Sequence, residues 1–178
     1  MCVCLRLNLK LEDSQPMTRP LRLALFSMLA LGTVLGGCSS AEQAIDLNVY
    51  SATYDTDPTA EPPDGWQRVS FERTLRSRAA TVLVSDEPLL TGWNIVAFHA
   101  ATEADDSRAI SIRLNAYGQG KMKSYCADES RLKQPLALQV DGRWADMSPL
   151  LRKVTDRMTL YGLSASEVDR LEHWIDVR

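Results

Sequence analysis

The chain has 178 residues, of which 45% are hydrophobic, 24% charged and 7% aromatic, with 9 Gly, 8 Pro, 4 Cys and 2 His. That is ordinary globular composition, and it excludes collagen-like, low-complexity and disulfide-scaffold classes. A net charge of −3 offers no basic field to nucleic acid, and two imidazoles leave little material for a multi-histidine metal site.

Residues 1–16 include Cys2, Cys4, Glu12 and Asp13. Acidic residues do not belong ahead of the basic start of an export signal. Met17 is therefore read as the start, and 1–16 as a non-native upstream extension. The Cys2/Cys4 pair lacks the second pair that a zinc site needs. From Met17 the chain reads MTRPLRLALFSMLALGTVLGGC: Arg19 and Arg22, an apolar run from Leu23 to Leu35, then small residues before Cys38. This is the tripartite pattern of a secretory signal. Ser27, Gly32 and Thr33 dilute the 13-residue run, which falls short of the roughly 20 apolar residues that span a bilayer.

Leu35-Gly36-Gly37-Cys38 resembles the lipobox of bacterial lipoproteins. Gly36 and Gly37 leave a peptidase unobstructed, and the Cys38 thiol can receive a diacylglyceryl group. The resemblance implies a signal peptide over 17–37, lipid attachment at Cys38 with palmitate-type acyl chains, and a lipidated tether over 38–44. Each buried methylene contributes about 0.8 kcal/mol, so two or more chains anchor stably. Ser39 stands where an aspartate would signal inner-membrane retention. The expected location is thus the periplasmic face of the outer membrane, with the membrane as partner through Cys38. Cys126 is then the one remaining thiol; with no second cysteine it is read as a small buried apolar residue.

Residues 45–178 are read as a single domain. Ile45, Leu47 and Val49 alternate along Ile45–Tyr50 as in a strand. Asp55–Gly65 carries three prolines and reads as a loop; Asp55, Asp57 and Glu61 do not have calcium-loop spacing. Trp66–Phe71 and Ala80–Val84 read as strands, joined by a solvated connection with Arg73, Arg76 and Arg78. Pro88–Gly92 has turn chemistry. Ala109–Asn115 is a strand, Gly118–Leu132 a helix, and Pro135–Val140 a strand ending in Asp141-Gly142, a strong hairpin signal. Met158–Tyr161 is a short strand closed by Gly162. Ser164 and Glu167 form a capping box, followed by a helix burying Val168, Leu171 and Ile175, with Trp174 beside them. This order predicts an α+β domain: a mostly antiparallel sheet with about two helices packed on one face.

No catalytic constellation emerges. His99 lies in the apolar stretch Ile95–Phe98 and reads as a packing residue, while His173 sits in the last helical turn, where a cation is favoured. Asp105-Asp106 and Asp128-Glu129 are adjacent pairs whose members point in different directions. Gly118-Gln119-Gly120 is half of a phosphate motif with nothing to complete it. The expectation is a non-enzyme without catalytic, cofactor-binding or metal-binding residues.

Several segments occur together in order: Leu89-Leu90-Thr91-Gly92, Ala109–Asn115, Pro135–Gly142, Ser148-Pro149, and Thr159–Gly162 followed by Ser164–Glu167. This series resembles the periplasmic P1 head region of the protein-export subunit SecD, with its LTG turn, strand, helix, "LAIVLDGKV" hairpin, "SAP" segment and "ITGNF" turn. The resemblance covers about residues 87–177. It implies a SecD-head-like α+β domain, linked to protein export, that binds unfolded or exported polypeptide, or Sec or other envelope proteins. The chain departs from the family at Met147-Ser148-Pro149 and in a hairpin one residue longer, and it lacks the transmembrane helices that couple export to proton flow. No binding residue is carried over. The alternative reading is a structural or assembly accessory of an envelope complex that does not handle client chains. Contact through a sheet edge or apolar groove would serve either role.

Overall fold

The computed structural model describes residues 44–73 and 78–177. The chain divides into one unit ending at Gly37 and another running from Cys38 to Arg178. All described residues belong to the second. The expected signal peptide over 17–37, the expected lipid attachment at Cys38, and Arg76 lie outside the described residues.

Strand β1 (Leu47–Tyr54) is the organising element, because it is hydrogen-bonded on both sides. On one side it meets β3 (Ala80–Thr91), which in turn pairs with β2 (Trp66–Phe71). On the other it meets β6 (Pro135–Val140), which pairs with β7 (Arg143–Pro149). The result is a five-stranded antiparallel sheet in the order β2-β3-β1-β6-β7. A second antiparallel sheet has the order β4-β5-β8, from Ile95–Thr102, Arg108–Leu114 and Arg157–Leu163. Helices α1 (Ala116–Tyr125) and α2 (Ala165–Asp176) complete the α+β fold. No described helix is long and apolar enough to cross a membrane.

The strands form two sheets where the sequence predicts one. Each sheet has an apolar face, and the larger core lies between them. It combines Leu47, Val49, Leu136, Leu138 and Val140 of the first sheet with Ile110, Ile112, Leu114 and Leu160 of the second, and Leu171 of α2. The opposite face of the larger sheet curls around a smaller core of Tyr50, Ala52, Val69, Phe71, Val82, Val84, Ala137 and Met147. There the Trp144 ring meets Tyr50 and Phe71 edge-on, with centroids 5.3 and 6.0 Å apart. Strand β6 therefore buries both of its faces, which explains its nearly continuous apolar sequence.

Three elements depart most from the sequence reading. Pro88 lies inside β3, at an irregularity where Tyr50 pairs with Pro88 but Ala52 with Val84; a bulge accommodates the missing N–H. Strand β4 is absent from the sequence reading, because its run of small and apolar residues lacks clear alternation. Helix α1 starts at Ala116 because the Asn115 side chain accepts from the Gly118 amide at 2.8 Å. It ends at Tyr125, and a separate 3₁₀ turn occupies Glu129–Arg131. The Asp128 carboxylate captures the Ser130 amide and hydroxyl at 2.9 and 2.6 Å, opposing a continuous helix to Leu132.

Candidate functional site

The two sheets come side by side along β7 and β8, each an outermost strand of its own sheet. Gly162 in β8 has φ +78°, and a Cβ there would lie 2.5 Å from the Ala145 carbonyl oxygen of β7. The missing side chain lets the strands close at that end. Arg143 bridges the same end, donating to the Gly162 carbonyl at 3.2 Å and to both Glu167 oxygens at 2.8 Å. Toward Pro149 and Arg157 an apolar groove of about 330 Å³ opens between the strands.

The groove exposes the margin of the main core. Leu136 and Leu138 from β6, Leu150 and Val154 from the connection, and Met158 and Leu160 from β8 line it. Leu151 stands on its rim, 77% exposed. One carboxylate also lines it: Asp146 of β7, only 4% exposed. The Ser148 hydroxyl donates to Asp146 Oδ2 at 2.5 Å. Arg152 and Arg157 add positive charge nearby. The cleft can therefore take an apolar side chain and offer a carboxylate oxygen to a neighbouring donor. Sequence reading missed this group. A register shift in the β6–β7 pairing, with Leu138 opposite Asp146 but Gln139 opposite Trp144, turns Trp144 to the smaller core and Asp146 to the groove, and simple alternation along the chain does not reveal such a shift.

The other candidate residues lie apart from the groove. Asp105 accepts from the Ser107 amide and hydroxyl at 3.1 and 2.6 Å in the β4–β5 turn, where Asp106 adopts φ 62°. His99 is exposed on β4, contrary to its reading as a packing residue, because it falls on the outward side of the strand. His173 is exposed in the last turn of α2, and Cys126 is buried as a free thiol beside the main core. Gly118 lies in the first turn of α1, where a Cβ would come 3.0 Å from Asn94 Cβ; close packing accounts for it.

In the acidic loop, Arg68 reaches across from β2. Its Nε lies 2.5 Å from Asp55 Oδ2, and Nη2 donates to the Ala60 carbonyl at 2.6 Å. The Arg68 guanidinium thus pairs with Asp55 and ties down the loop backbone. The Thr59 hydroxyl and amide stabilise the Asp57 carboxylate and lower its pKa. Asp128 is likewise lowered, first by the Ser130 hydroxyl and then by its amide. Among the described residues, no cluster of three or more His, Cys, Asp or Glu side chains is arranged to hold a metal ion.

No protein-family model matches the chain, and no curated protein matches it in sequence. Solved structures similar to it include two of SecDF. One is SecDF, a membrane component that enhances protein export, with TM-score 0.45 and 15% identity over 75% of this chain and 63% of that one. The other is SecDF in a super-membrane-facing form, with TM-score 0.44 and 17% identity over 75% of this chain and 19% of that one. The chain thus spans less than two-thirds of the length of either.

Proposed function

We propose that this protein is a non-catalytic, lipid-anchored envelope protein that binds segments of polypeptide in the groove between β7 and β8, in a role linked to protein export. Lipid on Cys38 holds it to a membrane, with the domain in the periplasm and the outer membrane as its site. The export signal, the lipobox-like ending and the order of SecD-head-like motifs support the location and the link to export.

The groove is the observation that carries the binding reading. An apolar cleft at the seam of two sheets receives one or two apolar side chains, and Asp146 accepts a hydrogen bond from an adjacent amide or cationic group. Burying a leucine- or phenylalanine-sized anchor contributes about 1.5–3 kcal/mol. One anchor is far short of the roughly 8 kcal/mol behind micromolar affinity. Contact is therefore weak per segment and readily reversed, as suits a protein meeting many chains.

The test is photo-crosslinking in living cells from Leu151 on the groove rim, with the Pro135–Trp144 hairpin as a second origin and captured proteins identified by mass spectrometry. A spread of exported chains or Sec components is expected. A single recurrent envelope protein would instead make this an assembly accessory that handles no clients.

A further inference from the structure

The chain enters the described domain beside α2. Arg170 Nη2 donates to the Ala44 carbonyl at 3.3 Å, and the same guanidinium holds Asp141 at 2.6 Å. Trp174 follows one helical turn later, about 5.4 Å along the axis. Its ring meets that of Trp93 edge-on, with centroids 5.2 Å apart. A Cβ on Gly92 would lie 3.2 Å from the Trp174 ring and 3.8 Å from the Leu47 carbonyl oxygen, so the start of β1 reaches the same place.

Asn115 adds the start of α1. Its amide donates to the Asn94 carbonyl at 2.8 Å, and its side chain donates to the Trp93 carbonyl at 2.9 Å. Tyr117 stands two residues further on. This end of the domain displays Trp93 at 67% exposure, Tyr117 at 68% and, past the end of α2, Val177 at 65%. Tryptophan and tyrosine combine an apolar ring with a polar tip, the combination favoured where hydrocarbon meets headgroups.

We propose that Trp93, Tyr117 and Val177 form a face that rests on a lipid bilayer, an assignment that depends on the acylation of Cys38. Five residues separate Cys38 from Ala44. Fully extended, those six steps reach about 20 Å. An acylated Cys38 sits at the headgroup level, so the tether keeps the Ala44 end of the domain within that distance of the bilayer. Exposed Asp169, Glu172 and Asp176 on α2 oppose an anionic surface. One cation accompanies the face, Lys121 Nζ 5.6 Å from the centre of the Tyr117 ring, and the three α2 carboxylates outnumber it; the bilayer that fits is therefore zwitterionic, engaged mainly through aromatic rings.

The test uses the full acylated chain in phosphatidylcholine vesicles whose lipids carry bromine high on the acyl chains. Intact mass reports on Cys38, and tryptophan emission reports on contact. Brominated lipid is expected to quench emission. Trp93→Phe, at an exposed position, should remove most of that quenching, whereas Trp66→Phe on β2 should leave it unchanged. Equal emission in brominated and plain vesicles, or quenching untouched by Trp93→Phe, overturns the membrane face while leaving the anchor standing. An unmodified Cys38 overturns both. Stronger quenching when phosphatidylglycerol replaces phosphatidylcholine overturns the zwitterionic assignment.

Discussion

Arg143 Nη2 lies 2.8 Å from each carboxylate oxygen of Glu167, joining the β6–β7 hairpin of one sheet to the first turn of the helix that follows the other. Glu167 also accepts from the Ser164 amide at 2.6 Å, while the Ser164 hydroxyl accepts from the Glu167 amide at 3.2 Å. The capping box thus serves as an interlayer tie as well as a helix start.

This carboxylate should make stability depend on acid. Burial alone would raise the Glu167 pKa, but the Ser164 bonds and the Arg143 guanidinium outweigh it and hold it below the ordinary value. Its contribution is complete above the unfolded-state pKa and disappears as pH falls through the depressed folded value. Glu167→Gln is expected to cost about 1–2 kcal/mol at pH 7, the scale of a cap and a charged hydrogen bond. Urea unfolding at pH 7 and pH 3 checks this: the gap between wild type and variant should narrow in acid.

The Asp141–Arg170 pair should behave as a weaker second tie. Burial raises the Asp141 pKa, but the Arg170 bond, the Asp46 amide and the nearby arginine charges bring it below the ordinary value. Both side chains are about one-third exposed, so solvent screens the pair. A double-mutant cycle with Asp141→Asn and Arg170→Gln is expected to give about 0.5–1 kcal/mol of coupling, declining with salt. Like Glu167, Asp141 contributes fully above its unfolded pKa and loses its contribution as pH falls through the lowered folded value.

Gly162→Ala should be among the more damaging single-methyl additions. It imposes a side chain at φ +78° and drives Cβ to 2.5 Å from the Ala145 oxygen. The backbone term is about 1–2 kcal/mol and the overpacking term about 1–3 kcal/mol. A loss of roughly 2–4 kcal/mol in urea unfolding is expected. Gly120→Ala is the control: a Cβ there meets nothing within 4 Å, and helix propensity predicts a gain of up to about 1 kcal/mol.

Asp146→Asn tests the groove with little change of volume. It removes the negative charge that receives the Ser148 hydroxyl and faces the cleft. Binding of unfolded model peptides, followed by fluorescence anisotropy, is expected to weaken about 5- to 10-fold, the equivalent of roughly 1–1.4 kcal/mol. Unchanged peptide affinity in a folded Asp146→Asn protein would remove the carboxylate from the binding account.

Much of the domain was readable along the chain because the deciding interactions are local. Asp141 and Gly142, at φ 50° and 79°, make the hairpin turn that their residue types favour. Ser164 and Glu167 cap α2 within four residues, and alternating apolar side chains marked β1, β5 and β6. Tertiary contacts decided the rest. The seam between the two sheets depends on the Gly162–Ala145 approach, between residues 17 positions apart. The groove exists because β7 and β8 close at that end and part at the other, leaving Asp146 against Leu136, Leu138 and Leu160. Periodicity shows which side chains share a face of a strand; which faces meet, and where a gap remains between them, depends on packing between distant segments.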